Sequence, residues 1–263
     1  MLFLQTLWEG IVNGSIYAMI AMGIALVWGV MGILSFSQGE FMMLGMFITF
    51  YANTYLGLDP VVCVPIVGLL MFGFGCIVYR TIIAKALRGP RLSQRLITFA
   101  IGMVLTYGAL MLFGGQYRTV QNLAFTGSID LVGLTISRQK LVPLIIALVM
   151  VAFMYIFLNK TKIGKAIQAT SQDKQSAELV GIDSETTYMV AFGLSSALAG
   201  IAGCAITYYF PVYYTAGAAF LLFGFIAVLL GGVGSTFGAL VGGLIMGVTD
   251  TFSGVYLNTA YKY

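Results

Sequence analysis

The sequence contains no histidine and few charged residues of either sign. Of its 263 residues, 8% are charged and 60% are hydrophobic, and the mean hydropathy is +0.98. The absence of histidine removes the commonest general base and metal ligand of enzymes. An intramembrane enzyme would need a nucleophile with a base, or a metal cluster, so this class is disfavoured. So much apolar surface cannot be hidden in one soluble core, and the composition predicts a membrane protein.

Cysteine is scarce, and a motif for ATP hydrolysis is lacking. The three cysteines fall inside apolar runs without paired spacing, which predicts neither a disulfide framework nor a zinc site. The segment nearest to a phosphate-binding loop has Asn159 in place of its first glycine and Ala166 in place of the Ser or Thr. We therefore expect no catalytic residue, metal site or bound cofactor in this chain. Nucleotide-driven work would need a separate subunit.

Eight apolar runs approach the length of about 20 residues that a membrane-spanning helix requires. They occupy residues 7–30, 41–56, 61–84, 96–113, 141–158, 187–210, 218–231 and 237–257. None shows the alternating pattern of a membrane β-barrel strand. The predicted fold class is an all-α polytopic membrane protein of about eight transmembrane helices, some of them interrupted. We expect one transmembrane domain over residues 1–263.

Basic residues cluster in two of the segments between apolar runs. The first cluster is Arg80, Lys85, Arg88, Arg91 and Arg95, and the second is Lys160, Lys162, Lys165 and Lys174. By the positive-inside rule, both clusters face the cytoplasm. Two crossings separate them, so they are required to share a side. The segment between those crossings, residues 114–140, is then predicted to face outward, as is the N-terminus.

The longest polar stretch, residues 159–185, is predicted to form two short helices. Gly164 opens a run of helix formers, and Ser171 is predicted to cap a second helix. Asp173 would lie in the first turn of that helix, and Gly181 fits its C-terminal stop. Helices this short are marginal in water, so we expect them to pack against something else.

Small apolar side chains in this stretch supply a surface that needs covering. They are Ala166, Ile167, Ala177, Leu179, Val180 and Ile182. A partner protein would bury them. The alternative is a lipid surface, where the lysines would be attracted to anionic headgroups. The residues alone leave both possibilities open.

Two polar, glycine-containing stretches adjoin apolar runs. The first, GILSFSQGEF at residues 32–41, contains Ser35, Ser37, Gln38 and Glu40; the second, GGVGSTFG at residues 231–238, contains Ser235 and Thr236. Non-helical backbone at membrane depth is tolerated where it lines a cavity or is buried in protein. Interrupted helices in corresponding halves of a chain are typical of a transport path. These six side chains are therefore candidate residues of a substrate path, with tight helix packing as the alternative.

A carboxylate at the bilayer centre costs about 2.5–3.5 kcal/mol on insertion scales, so Glu40 requires an explanation. Our preferred interpretation is that Glu40 lies in the first turn of the following helix, near the cytoplasmic face, where it satisfies backbone donors. An ion-coupled secondary transporter would need several titratable groups along its path. Glu40 is the one good candidate in this sequence, which disfavours that class.

Three long motifs resemble a known family. They are NGSIYAMIAMGIALVWGVMGILSFSQGEFMMLG, TKIGKAIQATSQDKQSAELVGID and AVLLGGVGSTFGALVGGLIMG. In this order they are similar to the permease subunits of branched-chain amino acid ABC importers, the first of the two related permeases. The resemblance covers nearly the whole chain. It implies a type II ABC importer permease of the bacterial inner (plasma) membrane.

In that family the middle motif is the cytoplasmic coupling segment, which docks on an ATP-binding subunit. The resemblance therefore implies the following contact residues: Gly164, Lys165, Ala166, Ala169, Asp173, Ala177, Leu179, Gly181 and Ile182. It also implies a homologous second permease in a heterodimer or homodimer, two ATP-binding cassette subunits that bind ATP and Mg, and a soluble substrate-binding protein. The lipid bilayer is the remaining partner, and nucleic acid is not expected.

Two departures from the family pattern bear on these expectations. Members usually continue beyond a stretch like YLNTAYKY with one more helix, so a final C-terminal helix is expected to be lacking here. Members also commonly carry a lysine before the glycine-rich turn, where this sequence reads FLLFGFIAVLL. Related permeases carry branched-chain amino acids, other amino acids, urea, short amides or carboxylates, and the sequence leaves this choice open.

Overall fold

The computed structural model is a helical bundle and describes residues 2–121, 123, 125, 127–131 and 134–256. Its helices are α1 (Leu2–Met31), α2 (Gln38–Leu56), α3 (Pro60–Val78), α4 (Ala84–Ala86), α5 (Arg91–Phe113), α6 (Arg138–Lys160), α7 (Lys162–Gln172), α8 (Lys174–Leu179), α9 (Ser184–Ile206), α10 (Ala216–Gly231) and α11 (Thr236–Tyr256). A π-helical turn, Tyr79–Ile83, joins α3 to α4. Two short strands, β1 (Ser128–Leu131) and β2 (Leu134–Ser137), lie between α5 and α6.

Every predicted apolar run forms a helix, which confirms the helical membrane fold class. Six helical stretches are long and apolar enough to cross a membrane: Leu2–Met31, Pro60–Ala86, Leu92–Phe113, Arg138–Lys160, Ser184–Ile206 and Thr236–Tyr256. The other two runs form α2, of 19 residues, and α10, of 16 residues. The antiparallel pairing of β1 with β2 was not predicted. Residues 257–263 lie outside the described residues.

Helices α1 and α9 form the centre of the bundle. In each, 89% of the most apolar window is buried, against 22% for α5 and 28% for the span that begins with α3. The outer helices therefore turn apolar side chains away from the bundle, as helices do when lipid or another membrane protein surrounds them. The remaining helices pack around this central pair.

Glycines allow α1 and α11 to approach closely along their length. A methyl group on Gly14 would lie 2.9 Å from the Cα atom of Leu244, and one on Gly10 would lie 2.7 Å from that of Val248. Gly247 in turn lies against the backbone of Gly14. Small residues let helix backbones approach in this way.

The two ends of the bundle differ in charge as the topology requires. Arg88, from the first basic cluster, and Lys174, from the second, line one cavity of about 620 Å³. The two clusters therefore share an end, as predicted. At the opposite end Lys140 Nζ lies 2.8 Å from Glu9 Oε1. We call the end with the two basic clusters the cytoplasmic end.

Candidate functional site

The chain leaves helical geometry between α1 and α2, as predicted. Gly32 follows α1 with a φ of 66°, a left-handed conformation that glycine adopts without steric cost. Residues 33–37 are not helical, and α2 begins at Gln38. Ser35 and Ser37 are almost completely buried in this break, and their hydroxyl oxygens lie 3.2 Å apart.

Glu40 lies at mid-height in the bundle. A methyl group on Gly102 would lie 3.2 Å from Glu40 Oε2, and Gly102 is the central residue of the 23-residue helix α5. At a rise of 1.5 Å per residue, it is about 16 Å from either end of that helix. The prediction that Glu40 lies in the first turn of a helix is confirmed.

The prediction that this first turn lies near the cytoplasmic face is wrong. After Gly32 the backbone turns back and runs non-helically before it resumes a helix at Gln38. An extended segment covers up to about 3.3–3.6 Å per residue, more than twice the rise of a helix. A few residues are therefore enough to carry the start of α2 into the middle of the bundle.

Several polar atoms of this first turn are buried and have no hydrogen-bond partner among the described residues. Gln38 is fully buried, and both atoms of its side-chain amide lack a partner among the described residues. Glu40 is 9% exposed. Its carboxylate accepts a hydrogen bond from its own backbone N–H, while Oε2 is unpaired among the residues that the structure describes. An unsatisfied buried polar group costs about 1–3 kcal/mol, so a polar ligand or water is expected here.

The start of α10 meets the start of α2 at this height. The backbones of Gly39 and Gly217 touch, because a methyl group on either glycine would collide with the carbonyl of the other. Within the described part of the chain, neither Ser37 nor Thr215 caps its helix through a side-chain hydrogen bond. The N-terminus of a helix carries a partial positive charge of about half an elementary charge. Two such ends therefore converge beside Glu40.

An aromatic cluster lies on the cytoplasmic side of this first turn. The ring centroid of Phe36 lies 5.2 Å from that of Phe225 and 6.5 Å from that of Phe99. On α10, Phe225 lies between Gly217 and the cytoplasmic end of the helix. These rings therefore lie between Glu40 and the cytoplasmic end of the bundle.

The second predicted interruption is a turn at the cytoplasmic end. Gly232 and Gly234 adopt φ values of 89° and 83°, and Ser235 Oγ accepts a hydrogen bond of 2.9 Å from the backbone N–H of Gly238. Ser235 is exposed, and Thr236 is half-buried as the first residue of α11. This arrangement caps α11 and joins two antiparallel helices.

Ser235 and Thr236 are therefore not brought together with Glu40. Gly234 packs against Gly29, which lies in the last turn of α1 at the cytoplasmic end. The sequence signal is the same for a surface turn and for a break at mid-height, since glycine and serine favour both. Tertiary packing decides between them.

The segment 159–185 forms two helices, as predicted, and its first helix is held tightly against α6. Thr161 caps α7, because its Oγ1 accepts a hydrogen bond of 2.9 Å from the N–H of Gly164. A methyl group on Gly164 would lie 2.6 Å from the Cα atom of Leu158 in α6. Gly164 therefore fixes how closely α7 approaches the membrane-spanning helix before it.

Asp173, rather than Ser171, caps the second helix. Asp173 Oδ1 accepts a hydrogen bond of 2.9 Å from the N–H of Gln175. The prediction for Ser171 is wrong because α7 continues to Gln172, so that Ser171 lies inside it and donates to the carbonyl of Gln168. The predicted stop at Gly181 is confirmed by its φ of 86°.

Exposed aspartates stabilise the starts of α8 and α9. A hydrogen bond from Ser176 lowers the pKa of the Asp173 carboxyl, and one from Thr186 lowers the pKa of Asp183. A carboxylate with a lowered pKa stabilises the folded state above the pKa of the unfolded chain. That contribution is lost as the pH falls through the folded value. Both caps therefore remain ionised at neutral pH.

The segment buries one face and exposes another. Ile167 is 1% exposed and Ala177 is 3% exposed, whereas Leu179 and Val180 are 88% and 77% exposed. Of the remaining predicted contact residues, Lys165, Asp173 and Gly181 are exposed, Ala166, Ala169 and Ile182 are half-buried, and Gly164 is buried. A partner would therefore contact Leu179 and Val180 first. The sequence alone does not distinguish these exposed side chains from the buried ones of Ile167 and Ala177.

These features define a class of protein, the polytopic helical permeases: membrane-spanning helices, two helix starts at mid-height beside buried polar groups, and an exposed helical segment at the basic end. The chain matches, over residues 6–263, the family model described as the permease component of branched-chain amino acid transport systems. It belongs to that family.

Curated relatives agree with this assignment. The chain is 32% identical to the high-affinity branched-chain amino acid transport system permease protein LivH of Escherichia coli, with 99% of the chain and 89% of that protein covered. It is 31% identical to the corresponding BraD protein of Pseudomonas aeruginosa over the same shares. It is 25% identical to LivM of Escherichia coli, with 89% of the chain and 60% of that protein covered.

Proposed function

We propose that this chain is a transmembrane permease subunit of an ATP-driven ABC importer for branched-chain amino acids or closely related small solutes, in a bacterial inner membrane. One observation carries the proposal, namely the family match over residues 6–263. The names of LivH and BraD, high-affinity branched-chain amino acid permeases, support the substrate class. The chain forms a single permease domain and contributes to the translocation path rather than to catalysis.

Its partners are a second permease and the subunits that energise transport. Similarity to both LivH and LivM supports a pair of homologous permeases. Two ATP-binding cassette subunits bind ATP and Mg at the cytoplasmic end, and a soluble binding protein delivers the substrate from outside. Binding of ATP and of the loaded binding protein shifts the balance between outward-open and inward-open states.

Residues 159–185 are the coupling segment in this proposal. Leu179 and Val180 project from it and offer apolar surface to an ATP-binding subunit. Because Gly164 holds α7 against α6 and buried Ile167 anchors it further, a displacement of the segment moves membrane-spanning helices with it. The exposed Lys165 and Asp173 supply polar contacts at the rim of the interface.

The path is formed by the break between α1 and α2 and by the polar first turn of α2. Ser35, Ser37, Gln38 and Glu40 line it at mid-height, where polar groups inside a membrane protein usually mark a substrate route. The exposed turn with Ser235 lies at the cytoplasmic end, together with Thr236, and serves the exit.

The proposal is tested by co-expressing the chain with its candidate second permease, ATP-binding subunits and binding protein. Leu179→Ser combined with Val180→Ser is expected to weaken binding of the ATP-binding subunits by about a hundredfold or more, and so to reduce their recovery, because burying two aliphatic side chains is worth about 1.5–3 kcal/mol each. Leu92→Ser is the matched control, since Leu92 is an exposed aliphatic residue at the same end, in the first turn of α5.

Uptake of leucine is measured on the same strains. The proposal expects uptake that depends on ATP and falls with the double variant but not with the control. Uptake that continues without ATP would contradict the proposal. Equal recovery of the ATP-binding subunits with the wild type, the double variant and the control would contradict it as well.

A further inference from the structure

We propose that the substrate is recognised at mid-height as a zwitterion, with Glu40 binding its ammonium group and the uncapped starts of α2 and α10, together with Gln38, binding its carboxylate. This inference rests on the proposed function, and it assigns the two charges of an α-amino acid to two parts of one site. It also predicts weaker binding of solutes that carry one charge only.

The ammonium group is assigned to Glu40 because its carboxylate has unused hydrogen-bonding capacity. Oε2 is buried and unpaired among the described residues, although the side chain accepts a hydrogen bond from its own backbone N–H. Gly102 opposite it leaves space where any larger residue would crowd this oxygen. A buried carboxylate usually faces a cation, and an ammonium group provides both the charge and the donors.

The carboxylate is assigned to the helix starts that meet at Gly39 and Gly217. Neither helix is capped by the side chain at its N-cap position, within the residues the structure describes. In contrast, Asp59, Asp173 and Asp183 each cap their helices. In α10 the N–H groups of Ala216 and Ala218 already donate to the carbonyls of Tyr213 and Thr215. Those of Gln38 and Gly39 in α2 and of Gly217 in α10 have no partner among the described residues, and with the positive dipole ends they are left for an anion.

Gln38 supplies a second, independent indication of a ligand. It lies in the first turn of α2, is fully buried, and both its amide oxygen and nitrogen lack partners in the described part of the chain. An amide can donate to a carboxylate and accept from an ammonium group. The amide of Gln38 can therefore hydrogen-bond both the ammonium group and the carboxylate of one zwitterion.

The site therefore selects for paired charges. A ligand with only one charge leaves the part of the site that binds the other charge buried and without a partner. Because an unpaired buried polar group is costly, the site discriminates strongly between a zwitterion and a singly charged ligand. An apolar side chain next to the zwitterion would meet the aromatic cluster of Phe36, Phe99 and Phe225.

The test measures binding to the assembled permease complex in lipid nanodiscs without the binding protein, so that selection by the binding protein does not enter. Radiolabelled leucine is the probe. Two competitors keep its branched carbon skeleton but carry one charge each: 3-methylbutylamine has the ammonium group and 4-methylpentanoate has the carboxylate. We expect leucine itself to compete at least about tenfold more tightly than either analogue, the value of one charge-assisted hydrogen bond.

Glu40→Gln separates the two assignments. It is expected to weaken the binding of 3-methylbutylamine by about tenfold. The binding of 4-methylpentanoate is expected to stay the same or to become tighter. Glu9→Gln is the control, because Glu9 is a partly exposed acid paired with Lys140 at the outer end. Equal weakening of both analogues by Glu40→Gln, or no change in either, overturns the assignment.

Gly102→Ala tests the site without removing the carboxylate. The added methyl group would lie 3.2 Å from Glu40 Oε2, whereas one on Gly108, in the same helix, would meet nothing within 4 Å. Gly102→Ala is expected to weaken the binding of 3-methylbutylamine and of leucine. Gly108→Ala is expected to leave the binding of both unchanged. Identical behaviour of the two alanine variants would contradict the inference.

Failure of the inference is distinguishable from failure of the proposed function. If the complex assembles and takes up leucine with ATP, but Glu40→Gln binds both analogues as the wild type does, only the zwitterion site is wrong. If the wild-type complex neither assembles with ATP-binding subunits nor transports leucine, the proposed function itself is wrong.

Discussion

At the scale of single residues, the structure separates side chains that look alike in the sequence. Glu9 and Glu40 are both acids next to apolar runs. Glu9 forms a partly exposed ion pair with Lys140 at the outer end, and such pairs contribute at most about 1 kcal/mol. Glu40 is buried at mid-height beside Gly102 and keeps one unpaired oxygen among the described residues.

This difference predicts the outcome of parallel substitutions. Glu40→Leu is expected to reduce ATP-dependent leucine uptake by about tenfold or more, because it removes a charge from the path. Glu9→Leu is expected to leave uptake within about twofold of the wild type, the effect of a surface ion pair. Uptake rates normalised to the amount of assembled complex provide the measurement. Equal and mild effects of the two changes would count against a path at Glu40.

At the scale of elements, the connection of α7 to α6 depends on one glycine. The backbone of Gly164 lies against Phe157 and Leu158, so a side chain at this position would force α7 away from α6. Thr161 fixes the same junction by capping α7. Because α7 is held to α6 at its first turn, the two helices move together. Such a connection can transmit a movement of α7 to α6.

Gly164→Ala is therefore expected to weaken coupling rather than binding. Overpacking a tight site typically costs about 1–3 kcal/mol, and here the strain displaces α7. We expect ATP hydrolysis by the assembled complex to continue while leucine uptake per ATP falls severalfold. Gly73→Ala is the control, because a methyl group on Gly73 meets nothing within 4 Å. An unchanged ratio of uptake to hydrolysis in Gly164→Ala would show that this junction does not transmit movement.

At the scale of the whole molecule, the sequence predicted the helices and the common end of the two basic clusters because both depend on simple quantities. Apolar length identifies a span, and the positions of a few basic residues identify the cytoplasmic end. Arg88 and Lys174 indeed line one cavity. The helical segment at 159–185 was also predictable, since capping residues and glycines are local signals.

Depth and burial were not predictable in the same way. Nothing local distinguishes the break before Gln38, which carries α2 to mid-height, from the turn before Thr236, which stays at the surface. The meeting of Gly39 with Gly217 joins helices far apart in the chain, and only the packed bundle determines it. The exposure of Leu179 against the burial of Ile167 is likewise a result of tertiary packing.

In the proposed function, the segment 159–185 lies at the cytoplasmic end and is covered there by the ATP-binding subunits. Labelling of Leu179→Cys with a membrane-impermeant maleimide tests it most directly, because Cys63 and Cys204 are buried and Cys76 is half-buried. We predict labelling in inside-out vesicles but not in intact cells, and strong protection when the ATP-binding subunits are assembled. Labelling from outside the cell, or no protection by those subunits, would contradict the account.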